Sequence, residues 1–183
     1  EFAPRSAEPT AALVFYPGGR VDARSYAAYA REVAERGPLV IVVPMPLSLA
    51  VLSPMRADVA LEQYPRVETW VIGGHSLGGS MASRYADRRP SGIDGLLLFA
   101  AYPPGEDDLT ETGIAVIDVV ATEDSVLDGE SWTRSRELLP PDTEVVRIEG
   151  GNHAQFGDYG PQPGDSPATI TADEQRAQAV AAT

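Results

Sequence analysis

The sequence predicts an α/β fold, a three-layer sandwich with a mostly parallel sheet between two layers of helix. Three observations predict it. Six short apolar runs, residues 12–16, 39–43, 69–72, 95–100, 115–120 and 144–148, are rich in Val, Ile and Leu and lack clean in–out alternation. That is how strands buried on both faces read. Stretches with helical spacing stand between them, and regular strand–helix alternation builds stacked crossover units. Finally, 183 residues suit a single domain, residues 1–183, with a core of its own.

The helices follow in order. Residues 25–36 place Tyr26, Tyr29, Ala30 and Val33 on one side of a helix. Residues 57–64 form a short second helix, and residues 77–88 a third. The fourth, residues 130–139, stops before Pro140-Pro141. In the last, residues 172–182, Thr171 with Glu174 three positions on reads as a capping box. Residues 157–167 are rich in Gly and Pro and form a long loop, which in a compact domain is often functional. Residues 1–10 read as a flexible N-terminal segment.

Composition narrows the function. With 14 bases against 27 acids, the net charge of −13 argues against a nucleic-acid surface and against steering of anionic substrates. There is no cysteine, which removes disulfides, thiolate nucleophiles and sulfur-ligated metals. Two separated histidines and scattered acids lack metal-ligand spacing, so neither metal nor cofactor is expected. No apolar run approaches the roughly 20 residues of a membrane helix. The chain opens on Glu1-Phe2 without an initiator Met, a pair that reads as a cloning-site remnant. Export or membrane anchoring therefore stays open beside a cytoplasmic location.

Chemistry concentrates in "WVIGGHSLGG", residues 70–79. Gly74-His75-Ser76-Leu77-Gly78 has the form G-x-S-x-G and lies between a strand run and a helix. A serine on such a sharp turn needs tiny residues two before and two after it, so that strand and helix can close up. Its hydroxyl then stands above the strand ends, where the helix N-terminus aims free N–H groups.

In this context the chain resembles the α/β-hydrolase fold serine hydrolases, and among them the small capless group of dienelactone-hydrolase-like esterases and minimal lipases. The resemblance runs from Leu13 to the final helix. It implies that this chain begins at the strand carrying the oxyanion loop, so that six strands take the order 2-1-3-4-5-6. Residues 102–113, between the fourth and fifth strand runs, are too few for a cap domain, which leaves the site open. Dienelactone hydrolases typically carry a cysteine nucleophile, so its absence here favours the esterase or lipase side.

A serine nucleophile needs a general base. His75 adjoins Ser76 on the turn and is expected to orient the elbow or pack beside it. His153, in "EGGNHAQFGDYG", follows the sixth strand run, where the resemblance places the base. The orienting carboxylate comes from "DVVATEDSVLD": Asp124 resembles the family acid on the turn after the fifth strand. Asp118 is expected inside the strand, Glu123 facing away and Asp128 capping the next helix. Asp107 and Asp108 stand in reserve. The order Ser76, Asp124, His153 is that of the family. The oxyanion donors are then the N–H of Leu77 and one from "VFYPGGRVD", where Pro17 replaces the usual histidine. Gly19 is favoured, with Gly18 next. Met45, Pro46, Leu47, Tyr102, Gln155 and Tyr159 fall on loops at the same edge.

The expected activity is hydrolysis of a small-molecule carboxylic ester through an acyl-enzyme. A thioesterase or amidase with the same triad, and a non-catalytic binding domain on this fold, are the alternatives.

Overall fold

The β-branched and leucine-rich runs pair into one sheet because their backbones have no water to bond on either face. In the computed structural model, which describes residues 1–4 and 8–183, the strands are β1 (Ala11–Tyr16), β2 (Leu39–Val42), β3 (Thr69–His75), β4 (Gly95–Phe99), β5 (Ala115–Ala121) and β6 (Glu144–Ile148). Their order is β2-β1-β3-β4-β5-β6 and every pairing is parallel. The order and the parallel sheet are as the sequence predicts. One boundary moves: β3 runs on through Gly73 and Gly74 to His75, pairing with β1 up to Tyr16 and with β4 up to Phe99. Backbone pairing carries a strand through glycines that propensity alone would stop.

Helices α1 (Ala27–Ala34) and α5 (Ala172–Ala181) cover one face, with Leu13, Phe15, Leu97 and Phe99 beneath them. Helices α2 (Ala57–Gln63) and α3 (Leu77–Arg88) cover the other, over Val14, Tyr16, Ile72, Leu96 and Leu98. Adjacent strand residues thus serve opposite cores. The stretch expected as one helix from residue 25 begins as a 3-10 turn, Ala23–Tyr26, capped by Asp22, before α1. Likewise α4 (Gly129–Ser135) tightens into a 3-10 turn at Arg136–Leu138. Asp128 caps α4 through the Ser131 N–H, and Thr171 and Glu174 form the capping box of α5. Between β4 and β5 there is no inserted domain. In the N-terminal segment expected to be flexible, Phe2 makes an antiparallel bridge to Val40 on the sheet edge. Part of that expectation falls on residues 5–7, outside the described residues. No helix is long and apolar enough to cross a membrane among the described residues.

Asp118, inside β5, is fully buried. Its Oδ2 accepts a 2.7 Å bond from the Trp132 indole of α4, and Oδ1 has no partner among the described residues. Burial pushes its carboxyl up from 3.8 to about 6, against the Trp132 bond and the charges of Arg136 and Arg147. The native state therefore holds a proton between pH 3.8 and about 6 that the unfolded chain has lost. Asp118 thus costs stability as pH rises through that window, by about 3 kcal/mol in all. Asp118→Asn keeps an acceptor for Trp132 and does not titrate. Urea unfolding of both proteins is expected to show the variant gaining on the wild type from pH 4 to 6 and then levelling off. A constant difference would return Asp118 to an ordinary carboxylate.

Candidate active site

The site is assembled at the C-terminal ends of the strands, where β3 turns into α3. Ser76 occupies that turn with φ 53° and ψ −124°, a region that non-glycine residues enter only under constraint. The constraint is visible. Ser76 N–H bonds the Phe99 carbonyl of β4 at 2.9 Å, and the Ser76 carbonyl accepts the Ser80 N–H at 3.1 Å. The flanking glycines leave no space: a Cβ on Gly74 would stand 2.6 Å from the Gly78 carbonyl carbon and 2.7 Å from both Gly79 N and Tyr16 O. A Cβ on Gly78 would collide with the Tyr16 and Pro17 carbonyl oxygens. The result is a half-buried serine at the mouth of a helix N-terminus. Its hydroxyl makes no hydrogen bond among the described residues.

His153 and Asp124 meet. His153 Nδ1 lies 2.7 Å from Asp124 Oδ2, with the two side chains 2% and 1% exposed. The other carboxylate oxygen of Asp124 accepts the Val126 and Leu127 N–H groups, both at 2.8 Å, which locks the carboxylate plane. His153 Nε2 is buried without a partner among the described residues. The reserve acids lie elsewhere: both oxygens of Asp107 take the Arg84 guanidinium at 3.3 Å, and Asp108 accepts from the Thr110 N–H and hydroxyl.

The histidine loop is tied from two sides by residues the sequence did not single out. Asp165, in the 157–167 loop, accepts the Ala154 N–H at 2.8 Å, the Ser166 N–H at 3.1 Å and the Ser125 N–H at 3.3 Å. It thereby links the chain next to His153 with the chain next to Asp124. Gln175 of α5 is fully buried, and its amide donates to the Asn152 carbonyl and accepts from the Asn152 N–H. Both bonds span distant parts of the chain, and no local pattern announces them.

The loop after β1 meets the start of α3. The Gly18 N–H donates to the Tyr26 hydroxyl at 2.9 Å, which turns it away from solvent. The N–H groups of Gly19 and Leu77 have no partner among the described residues. The two residues are neighbours, since a Cβ on Gly19 would stand 3.2 Å from Leu77 Cδ2 and 3.5 Å from Leu77 Cβ. The next amide, of Arg20, donates to Ser48 at 2.7 Å and brings the segment after β2 alongside. There Leu47, Val51 and Leu52 are exposed, and Met45 is half-buried. On the far side Tyr102 holds α3 through its carbonyl, which accepts the Ser80 hydroxyl at 2.8 Å. A cleft of about 520 Å³ opens beside the histidine loop, lined in part by Gln155, Asp158, Gln162 and Asp165; Ser76 does not line it.

His75 is buried behind Ser76. Its ring sits 4.5 Å from that of His153 and 5.5 Å from that of Phe156, and its Nδ1 lies 2.8 Å from the Tyr26 hydroxyl. Burial, and then the neighbouring His153, hold its pKa well below the ordinary histidine value. It stays neutral at physiological pH.

Comparison with known proteins follows this geometry. The family described as "Alpha/beta hydrolase family" matches residues 12–177. Among solved structures, the chain is similar to the esterase domain of a Rhodothermus marinus protein, at TM-score 0.71 and 10% identity over 98% of this chain and 87% of that one. It is similar to the RedJ thioesterase of the prodiginine pathway in Streptomyces coelicolor, at TM-score 0.66 and 15% identity over 98% and 91%. A third similarity is to a structure from work on the metagenome-derived lipolytic enzymes LipS and LipT, at TM-score 0.64 and 13% identity over 82% and 91%. These similarities show the fold. A comparison with curated protein sequences returns no match.

Proposed function

We propose that this chain, which belongs to the alpha/beta hydrolase family, is a serine hydrolase that cleaves carboxylic esters through an acyl-enzyme. The observation that carries the reading is the 2.7 Å pairing of His153 Nδ1 with Asp124 Oδ2, at the strand ends from which the strained Ser76 also projects.

Each residue then has one task. Asp124 takes the Nδ1 proton of His153 as a hydrogen bond, so the Nε2 lone pair is left free to act as base. His153 removes the Ser76 proton as Oγ attacks the ester carbonyl. The tetrahedral oxyanion accepts hydrogen bonds from the Leu77 and Gly19 amides. The imidazolium then protonates the departing alcohol, and a water activated by the same histidine frees the acid from Ser76. A Ser–His bond that is loose without substrate and tightens on binding is usual for such sites. The esterase and thioesterase folds among the similar structures agree with acyl transfer and leave the leaving group open.

The test is hydrolysis of p-nitrophenyl esters from acetate to palmitate, with Ser76→Ala as the blank. A Ser76-dependent rate is expected, with the variant slower by about a thousandfold or more. A fluorophosphonate probe should label the wild type at Ser76 and leave folded Ser76→Ala unlabelled. Equal rates in the two proteins, or no labelling, would remove the enzyme reading and leave a binding domain on the same fold.

A further inference from the structure

The buried pair Tyr26–His75 takes no part in the steps above, yet it touches both ends of the site. We infer that Tyr26 and His75 are positioning residues that hold the oxyanion loop and the base loop in register. The inference rests on the hydrolase reading just given.

Proton counting sets the direction of the network. The Gly18 amide can only donate, so its 2.9 Å bond occupies a lone pair of the Tyr26 oxygen. A phenol carries one proton. The remaining 2.8 Å contact, to His75 Nδ1, leaves the buried phenol proton paired only if that proton is donated to the imidazole. His75 is then the neutral Nε2–H tautomer, with its buried Nε2 unpartnered among the described residues. With Nδ1 engaged by a phenol, His75 cannot serve as base to its neighbour Ser76.

Two consequences reach the reacting atoms. Fastening the Gly18 N–H inward holds the Pro17–Gly18 peptide, and the next peptide, which carries the Gly19 N–H, is held through the Gly18 carbonyl, which accepts the Val21 N–H at 3.1 Å. A Cβ on Gly18 would stand 2.9 Å from His75 Nδ1 and 3.1 Å from the Tyr26 oxygen, so this close approach also requires glycine. On the other side, the His75 ring, 4.5 Å from that of His153 and packed on Phe156, limits how far the base can swing. Tyr26 is itself held by Phe15, with ring centres 5.2 Å apart, and is fully buried. The oxyanion loop and the histidine loop are thus connected through one hydroxyl and one imidazole.

Tyr26→Phe removes only the hydroxyl. With one oxyanion donor loosened, kcat on a p-nitrophenyl ester is expected to fall by about ten- to a hundredfold with KM within about twofold. Binding of an alkyl boronic acid, which forms the tetrahedral adduct on Ser76, should weaken by a similar factor. A purely structural role would lower the melting temperature and leave both values alone. A folded Tyr26→Phe with wild-type kcat and boronic acid affinity would overturn the inference. Should that variant not fold, His75→Leu and His75→Gln take its place: a loss of kcat in the first that the second partly restores supports the network, and equal kcat in both overturns it. Nitrogen-15 NMR of the wild-type protein is independent of turnover. It should show His75 protonated at Nε2 and unprotonated at Nδ1, and the opposite tautomer would overturn the inference. Failure of the hydrolase reading would be seen separately, as a Ser76→Ala protein with the wild-type rate.

Discussion

Asp124→Asn is expected to lower ester turnover by about a thousandfold or more while leaving the fold and its stability near those of the wild type. The size follows from where the amide would sit. One oxygen of Asp124 receives the Val126 and Leu127 N–H groups at 2.8 Å each, so an asparagine must keep its oxygen there. Its NH₂ then faces His153 Nδ1, where the carboxylate oxygen now stands at 2.7 Å. Two donors cannot share that contact. The ring must shift its proton to Nε2, the nitrogen that has to accept from Ser76, and the base is lost by tautomer. Because the pair is almost wholly buried, solvent cannot substitute for the missing acceptor. The measurement is kcat on p-nitrophenyl butyrate, with thermal unfolding as the control. Near-normal turnover in the folded variant would move the orienting acid off Asp124. Asp107 and Asp108 would be poor replacements, since Arg84 engages the first and the Thr110 N–H and hydroxyl engage the second.

The second large effect is on folding. Gly74→Ala is expected to destabilise the protein by about 3 kcal/mol or more, and to remove Ser76-dependent activity with it. The added methyl would meet the Gly78 carbonyl carbon at 2.6 Å and Gly79 N and Tyr16 O at 2.7 Å. All three are backbone atoms of the central strands and of α3, so no side chain can rotate out of the way. Gly105→Ala is the control, because a Cβ there meets nothing within 4 Å. Denaturant unfolding of the two variants should differ by most of the predicted loss. Equal midpoints would mean that the elbow can open, and that the strain at Ser76 is not enforced by its glycines.

These two residues also show where sequence ends and structure begins. Gly74, Ser76 and Gly78 were legible because a tight strand–helix turn imposes its demand within five neighbouring positions. The six strands were legible for a similar reason, since burial on both faces leaves an unbroken apolar run in each. His153 and Asp124 could be nominated as loop residues at the right strand ends, and chain order, through the family resemblance, supplied the rest. That they lie 2.7 Å apart is a property of the β5–β6 pairing and its loops. Between Gly18 and Gly19 the sequence reading favours Gly19, with little physical ground, for both are small and adjacent. In the structure the Tyr26 hydroxyl takes the Gly18 amide, which leaves the Gly19 N–H as the unpaired one among the described residues. Asp165, Gln175 and the Tyr26–His75 contact escaped notice because each joins elements far apart in the chain. Local periodicity and turn chemistry carry information over a few residues. A hydrogen bond across 49 positions, such as Tyr26 to His75, exists only once the sheet has brought its loops to one edge.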